Sequence, residues 1–149
     1  TGKLRADFDR RDLQDVGNEL RAVYGGHELA ARTWALATHD SCNAIVIDSI
    51  RNPEEIRFLR TLPGWKLLIG VDATPERRFQ NMRGRNRPTD PQTWEEFRTM
   101  EKRDRGAGEG ALGQQVDTCL ALTDHVIANN GTRNEFLAAV RAVMEEYGL

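Results

Sequence analysis

The sequence predicts an α/β fold: a parallel sheet with flanking helices. Three observations carry this. Two short apolar runs, 43–48 and 65–71, have strand length without polar alternation, the pattern of strands covered on both faces. Each gives way to an aspartate, Asp48 or Asp72, and soon afterwards to a cap-and-proline helix start, Asn52-Pro53 or Thr74-Pro75. A third run, His125–Ala128, leads through Asn129-Asn130-Gly131-Thr132 into a terminal helix whose Phe136, Leu137, Val140, Val143, Met144 and Tyr147 share one side. Strands alternating with helices pair in parallel, and ligands collect beyond the carboxyl ends of such strands.

Each element has its own signal. Leu13, Val16, Leu20, Val23 and Tyr24 make one face of a helix over 12–24, which Gly25-Gly26 stops. A second helix is expected over 27–38. Asn52 caps a helix running from Pro53 to Leu62, and Pro63-Gly64 turns the chain into the strand that ends before Asp72. Thr74-Pro75-Glu76 starts a helix that enters an arginine-dense stretch, 77–87. "RPTDPQ" is a loop, and Thr93 with Glu96 three residues on caps a helix reaching Arg105. "GAGEGALG" (106–113) is expected to be flexible, followed by a short helix from Gln114 to Leu122. Gly131 can supply a positive φ, and Thr132 can cap the last helix.

The 149 residues suit one domain, and 39% apolar with 30% charged residues suits a globular one. No apolar run nears the roughly 18 residues of a membrane span, and no leader pattern is visible, so no membrane partner is expected. Cys42 and Cys119 form no paired spacing, which fits a reducing cytoplasm. A net charge of −2 speaks against a general nucleic-acid binder. Of 21 cations, all but Lys3, Lys66 and Lys102 are arginine, the better planar binder of phosphate.

Asp48 could position a hydroxyl or a metal-bound water, or simply cap the next turn; Arg51 could pair with Asp48 or reach a phosphate. Residues 77–105 hold eight arginines and one lysine against five acids, with a proline-containing loop between two helices. That composition suits either a solvated, salt-bridged hairpin or a cationic flap, and phosphoryl transfer asks a protein mainly for positioning and charge stabilisation. His27, His39 and His125 lack metal-ligand spacing. No Gly-x-Ser-x-Gly elbow occurs. "GAGEG" follows a charged helix and precedes no Lys-Ser/Thr pair, so it is not a phosphate loop.

Taken together, "RRDLQDVGNELR", "VIDSIRNPEE", "DATPERRFQNMRGRNRPTDPQTWEEF" and "LTDHVIANNGT" resemble, in order and spacing, the P-loop kinases of the nucleoside-monophosphate type. The similarity is to the dephospho-CoA-kinase-like and deoxynucleoside-monophosphate-kinase-like branch and spans nearly the whole chain. It implies a kinase-like domain over 1–149 with a lid-like segment over 77–113. It also implies an ATP- and Mg²⁺-dependent phosphotransferase for a nucleotide-like acceptor. Arg11, Gln14, Asn18 and Arg21 would contact the acceptor. Asp48 and Arg51 would be the strand-end pair beside the transferred phosphate. Arg85 and Arg87 match the lid's Arg-x-Arg, and Arg103 matches a cation in the next helix. Gln115 fits the helix after the lid, and Asn129 and Gly131 match an Asn-x-Gly turn against adenine.

Two departures matter. Asn81 stands where relatives carry arginine. More importantly, no Gly-x-x-x-x-Gly-Lys-Ser/Thr occurs in these residues, and that loop carries ATP's phosphates. The family's first strand, which leads into the loop, lies between those expected at 44–48 and 66–72. The expectation is therefore an amino-terminally incomplete kinase-like domain. Its strand, loop and helix would precede Thr1 or come from elsewhere, such as a homo-oligomer or fusion partner. The alternative is a catalytically inactive nucleotide-binding, regulatory or interaction domain of the same fold.

Overall fold

The computed structural model describes residues 10–37, 44–64, 66–85 and 87–149, with the side chains of Arg10 and Arg11 left out. Its elements run α1 (Arg10–Tyr24), α2 (Glu28–Ala37), α3 (Pro53–Thr61), β1 (Ile69–Asp72), α4 (Pro75–Arg85), α5 (Trp94–Asp104), α6 (Val116–Ala121), β2 (His125–Ala128) and α7 (Arg133–Glu146). β1 and β2 pair in parallel, Ile69 opposite His125 and Asp72 opposite Ala128, with α6 as part of the crossover. The chain is thus α/β with a parallel sheet, of two strands among the described residues.

The helix starts follow their local chemistry. Asn52, Thr93 and Thr132 each accept an N–H of the first turn, while Glu55, Glu96 and Glu135 reach back to the cap's own N–H. α1 stops at Gly25, whose φ of 104° suits glycine. The next residue, Gly26, is buried where a Cβ would press to 2.8 Å from the Glu54 side chain, so α1 and α2 can sit against the start of α3 only with glycine there. α1 packs on α2, α2 on α3, α3 on α6, α6 on β1, and α7 on β2. Ile56, Cys119, Ile127 and Val143 are buried along this chain of contacts, and Phe97 is buried in α5.

Three expectations change. Residues 44–48 are not a strand: no ladder partner exists for them among the described residues, and Val46 is 94% exposed. Asn43, where the expected strand begins, and Trp65, the expected start of the next one, lie outside the described residues, as do His39 and Cys42. The segment 106–113 is anchored rather than loose, because Asn52 Nδ2 donates to the carbonyls of Ala111 (2.9 Å) and Gly113 (2.8 Å). Gly131 is not among the glycines of positive φ; a Cβ there would overlap the Glu135 carboxylate that caps α7.

Candidate functional site

α1, the start of α3, the end of α5 and the loop 106–113 meet in a polar junction. At its centre Glu55, at the third position of α3, is 3% exposed. One carboxylate oxygen accepts the N–H groups of Arg51 (2.9 Å) and Asn52 (3.3 Å). The other accepts Arg21 Nε (3.1 Å) and Nη2 (2.9 Å). A buried carboxylate persists only when paired and hydrogen-bonded, and this one is both. Arg21 also reaches Asn18 Oδ1, and Asn18 Nδ2 donates to Glu109 (2.8 Å). Arg103 closes the ring with Glu109 and Asp15, each at 2.6 Å, and these bonds raise its pKa further above the ordinary arginine value. Gln14 donates to Asp104, and Arg51 Nη1 donates to Gln114 (3.1 Å) with Asp104 at 3.9 Å.

Five residues singled out by sequence, Gln14, Asn18, Arg21, Arg51 and Arg103, therefore converge here. The Arg11 side chain lies outside the described residues. Arg51 turns to Gln114 and Asp104 rather than to Asp48, because Glu55 fixes its backbone. Asp48 is exposed and accepts the N–H of Ser49 (2.6 Å), whose φ of 69° marks a sharp bend where the apolar run ends. Arg85 grips Asp90 with two parallel bonds of 2.6 and 2.7 Å, which raise the Arg85 pKa. Arg87 is exposed in the same turn, and Gln115 is the α6 N-cap residue, donating through Nε2 to the carbonyl of Gly110 (3.1 Å). Asn129 and Gly131 sit beside the start of α4. The Asn129 N–H donates to the Asp72 carbonyl (2.7 Å), and the Gly131 carbonyl accepts from Arg77 (2.7 Å).

The carboxyl end of β1 holds a second cluster, centred on residues that sequence reasoning did not assign. Asp72 Oδ1 accepts three bonds: from the Ala73 N–H (2.8 Å), Arg78 Nη1 (2.7 Å) and Arg105 Nη2 (2.8 Å). Arg78 Nε reaches Glu101 at 2.6 Å, and Arg105 also pairs with Asp117. Burial pulls the Arg105 pKa down, but Asp117 and Asp72 outweigh it and raise it overall. An open cleft of about 510 Å³ lies over this cluster, with Arg98 and Lys102 adding two more cations to its wall. The available signal was the strand-end position of Asp72 with Arg78 six residues on, akin to Asp48 with Arg51 three residues on. Among the described residues no group of three or more His, Cys, Asp or Glu could hold a metal ion.

No family model matches the sequence. A UPF0200 protein of Hyperthermus butylicus is 30% identical over 89% of this chain and 67% of its own length. The UPF0200 protein TK1334 of Thermococcus kodakarensis is 32% identical over 98% of this chain and 77% of its own. A UPF0200 protein of Methanothrix thermoacetophila is 31% identical over 96% of this chain and 79% of its own.

Proposed function

The chain belongs to the UPF0200 family, and from its strand-end chemistry we propose that it is the greater part of an ATP-dependent phosphotransferase acting on a nucleotide-like acceptor. The acceptor would be a nucleoside or deoxynucleoside monophosphate or dephospho-CoA. In the reaction the bond between ATP's γ-phosphorus and the bridging oxygen breaks, a bond to the acceptor oxygen forms, and ADP leaves; a hydroxyl acceptor also releases its proton, whereas the oxygen of a phosphate dianion carries none. The observation that carries the proposal is the cleft at the carboxyl end of β1, walled by Arg78, Arg98, Lys102 and Arg105. A parallel sheet presents ligands at that end, and phosphate chains are held there by guanidinium and ammonium groups.

These residues fit ATP unevenly. The cationic wall suits its phosphates. Asp72 Oδ1 already takes three donors, which leaves Oδ2 as the oxygen it could offer magnesium; Asp48, exposed at the end of the apolar run, is the carboxylate that would orient a magnesium-bound water or the acceptor. The reading also requires a phosphate loop, carried by residues beyond these 149, and a strand leading into it. Two features leave room for that strand: among the described residues β1 is paired on one edge only, and Val46 and Val71 are exposed at 94% and 48%.

One observation favours the non-catalytic alternative. Arg85, expected as a lid arginine, and Arg103, expected as a cation of the helix after it, are bonded to the protein's own Asp90, Asp15 and Glu109. A radiolabelled transfer assay decides between them. The protein, in a form that includes the phosphate loop, is offered ATP with each acceptor in turn. The catalytic reading expects transfer to one acceptor class and its loss in Arg78→Ala and Arg105→Ala. Absence of transfer to every acceptor rejects it.

A further inference from the structure

α4 and α5 form a second cleft of about 460 Å³, lined by Glu76, Phe79, Gln80 and Trp94. Its floor is aromatic. Trp94 stacks on the buried Phe97 (centroids 5.3 Å apart, planes 28° apart) and meets Phe79 edge-on at 5.5 Å and 69°. These contacts leave Trp94 38% exposed. From Trp94, a stripe of α5 runs directly into the Asp72 cleft: Arg98 is four residues on and Lys102 four more, steps of about 6 Å along the axis on nearly the same face. Arg98 belongs to both regions, since its guanidinium lies 5.7 Å from the Trp94 ring centroid and also lines the Asp72 cleft.

We propose that α5 is the seat of a nucleoside polyphosphate, with the base against Trp94 between α4 and α5 and the phosphate chain along Arg98 and Lys102 into the Asp72 cleft. A flat ring beside two cations at single-turn intervals matches a base followed by its 5′-phosphates, and base–aromatic stacking tolerates any base. Gln80 and Glu76 line the same cleft, and an amide and a carboxylate suit the hydrogen-bonding edge of a base. Neither Arg98 nor Lys102 forms an ion pair among those found in the described residues, whereas Arg78 and Arg105 are bonded to Asp72. The stripe therefore offers the cleft positive charge that no carboxylate among the described residues neutralises, with Arg98 lying over the Trp94 ring. The inference rests on the nucleotide-binding part of the reading above, but it places the base on the α4–α5 hairpin rather than at Asn129 and Gly131.

Calorimetry on the full chain tests it, with ATP and inorganic tripolyphosphate as probes. Trp94→Ala should weaken ATP about tenfold, as expected for loss of one stacked base, and leave tripolyphosphate unchanged. Trp94→Phe should retain most of the ATP affinity, which separates stacking from misfolding. Arg98→Ala with Lys102→Ala should weaken both probes. Equal ATP affinity in the wild type and Trp94→Ala overturns the proposal, as does undetectable ATP binding or a parallel loss of tripolyphosphate in Trp94→Ala. Phosphoryl transfer with Trp94-independent binding would sink this inference and spare the kinase reading. Trp94-dependent binding without transfer, in a protein carrying the phosphate loop, would do the reverse.

Discussion

Replacing Arg21 with alanine probes the polar junction at its most enclosed point. Arg21 and Glu55 are each 3% exposed, and two hydrogen bonds of 2.9 and 3.1 Å join them. Truncation leaves the Glu55 carboxylate buried without its cation, and breaking such a pair costs about 3–5 kcal/mol. The N–H groups of Arg51 and Asn52 still solvate the other oxygen, so the lower end, about 3 kcal/mol, is expected. For a chain of this size that corresponds to a fall in Tm of roughly 6–12 °C. Urea unfolding followed by circular dichroism measures it, with an unchanged m-value showing that the native fold persists. The double variant Arg21→Met with Glu55→Gln keeps a side-chain acceptor for the α3 cap and removes both charges, so it should recover at least half of the loss. A loss below about 1 kcal/mol for Arg21→Ala would refute the reasoning, as would a double variant whose destabilisation equals the sum of the singles.

Asp72→Asn should tighten tripolyphosphate by about fivefold or more, because even ~1 kcal/mol of repulsion at 4 Å in water-like surroundings disappears; calorimetry reads this directly. Arg85→Ala leaves the nearly buried Asp90 without its fork and should cost about 1–3 kcal/mol. The exposed Arg87→Ala should stay within ~0.5 kcal/mol, as paired thermal melts would show. Burial pushes the Cys119 thiol up to about 11, with Glu55 adding to the rise and Arg21 opposing it. In a Cys42→Ser background, alkylation of Cys119 should keep accelerating toward pH 11 instead of levelling near 9. The folded protein holds this proton where the unfolded chain releases it near its ordinary value of 9.0. The associated stability is therefore complete below pH 9 and lost as pH climbs toward 11, a window that pH-dependent denaturation would show.

What the sequence made legible was local. Asn52-Pro53, Thr93 with Glu96, and Thr132 at the last helix all signal helix starts through residues within one turn, and the structure places α3, α5 and α7 behind them. His125–Ala128 was also found with its bounds, since a short apolar run between turn residues needs no distant information. What depends on distant partners was misread. Residues 44–48 have the composition of a strand, but a strand exists only with a neighbour. The glycines of 106–113 suggested looseness because Asn18 and Asn52, which pin the segment, lie more than fifty residues away in sequence. The site followed the same rule. Arginine density pointed to 77–105, yet only folding revealed that Arg85 serves Asp90 while Arg78 and Arg105 share Asp72.

Asn52 has a kinetic consequence. Fully enclosed at 0% exposure, its side chain caps Glu54 through one atom and seizes two carbonyls, 59 and 61 residues downstream, through another. The cap forms as soon as α3 winds. The distant grip must wait for a closure whose length-dependent entropic cost is about 3.6 kcal/mol. α3 thus forms early with half of its anchor idle, and locking is deferred until the arginine-rich excursion between β1 and α6 has found its place. Asn52→Asp would keep the early role and abolish the late one, so it should speed unfolding while leaving the refolding rate nearly unchanged.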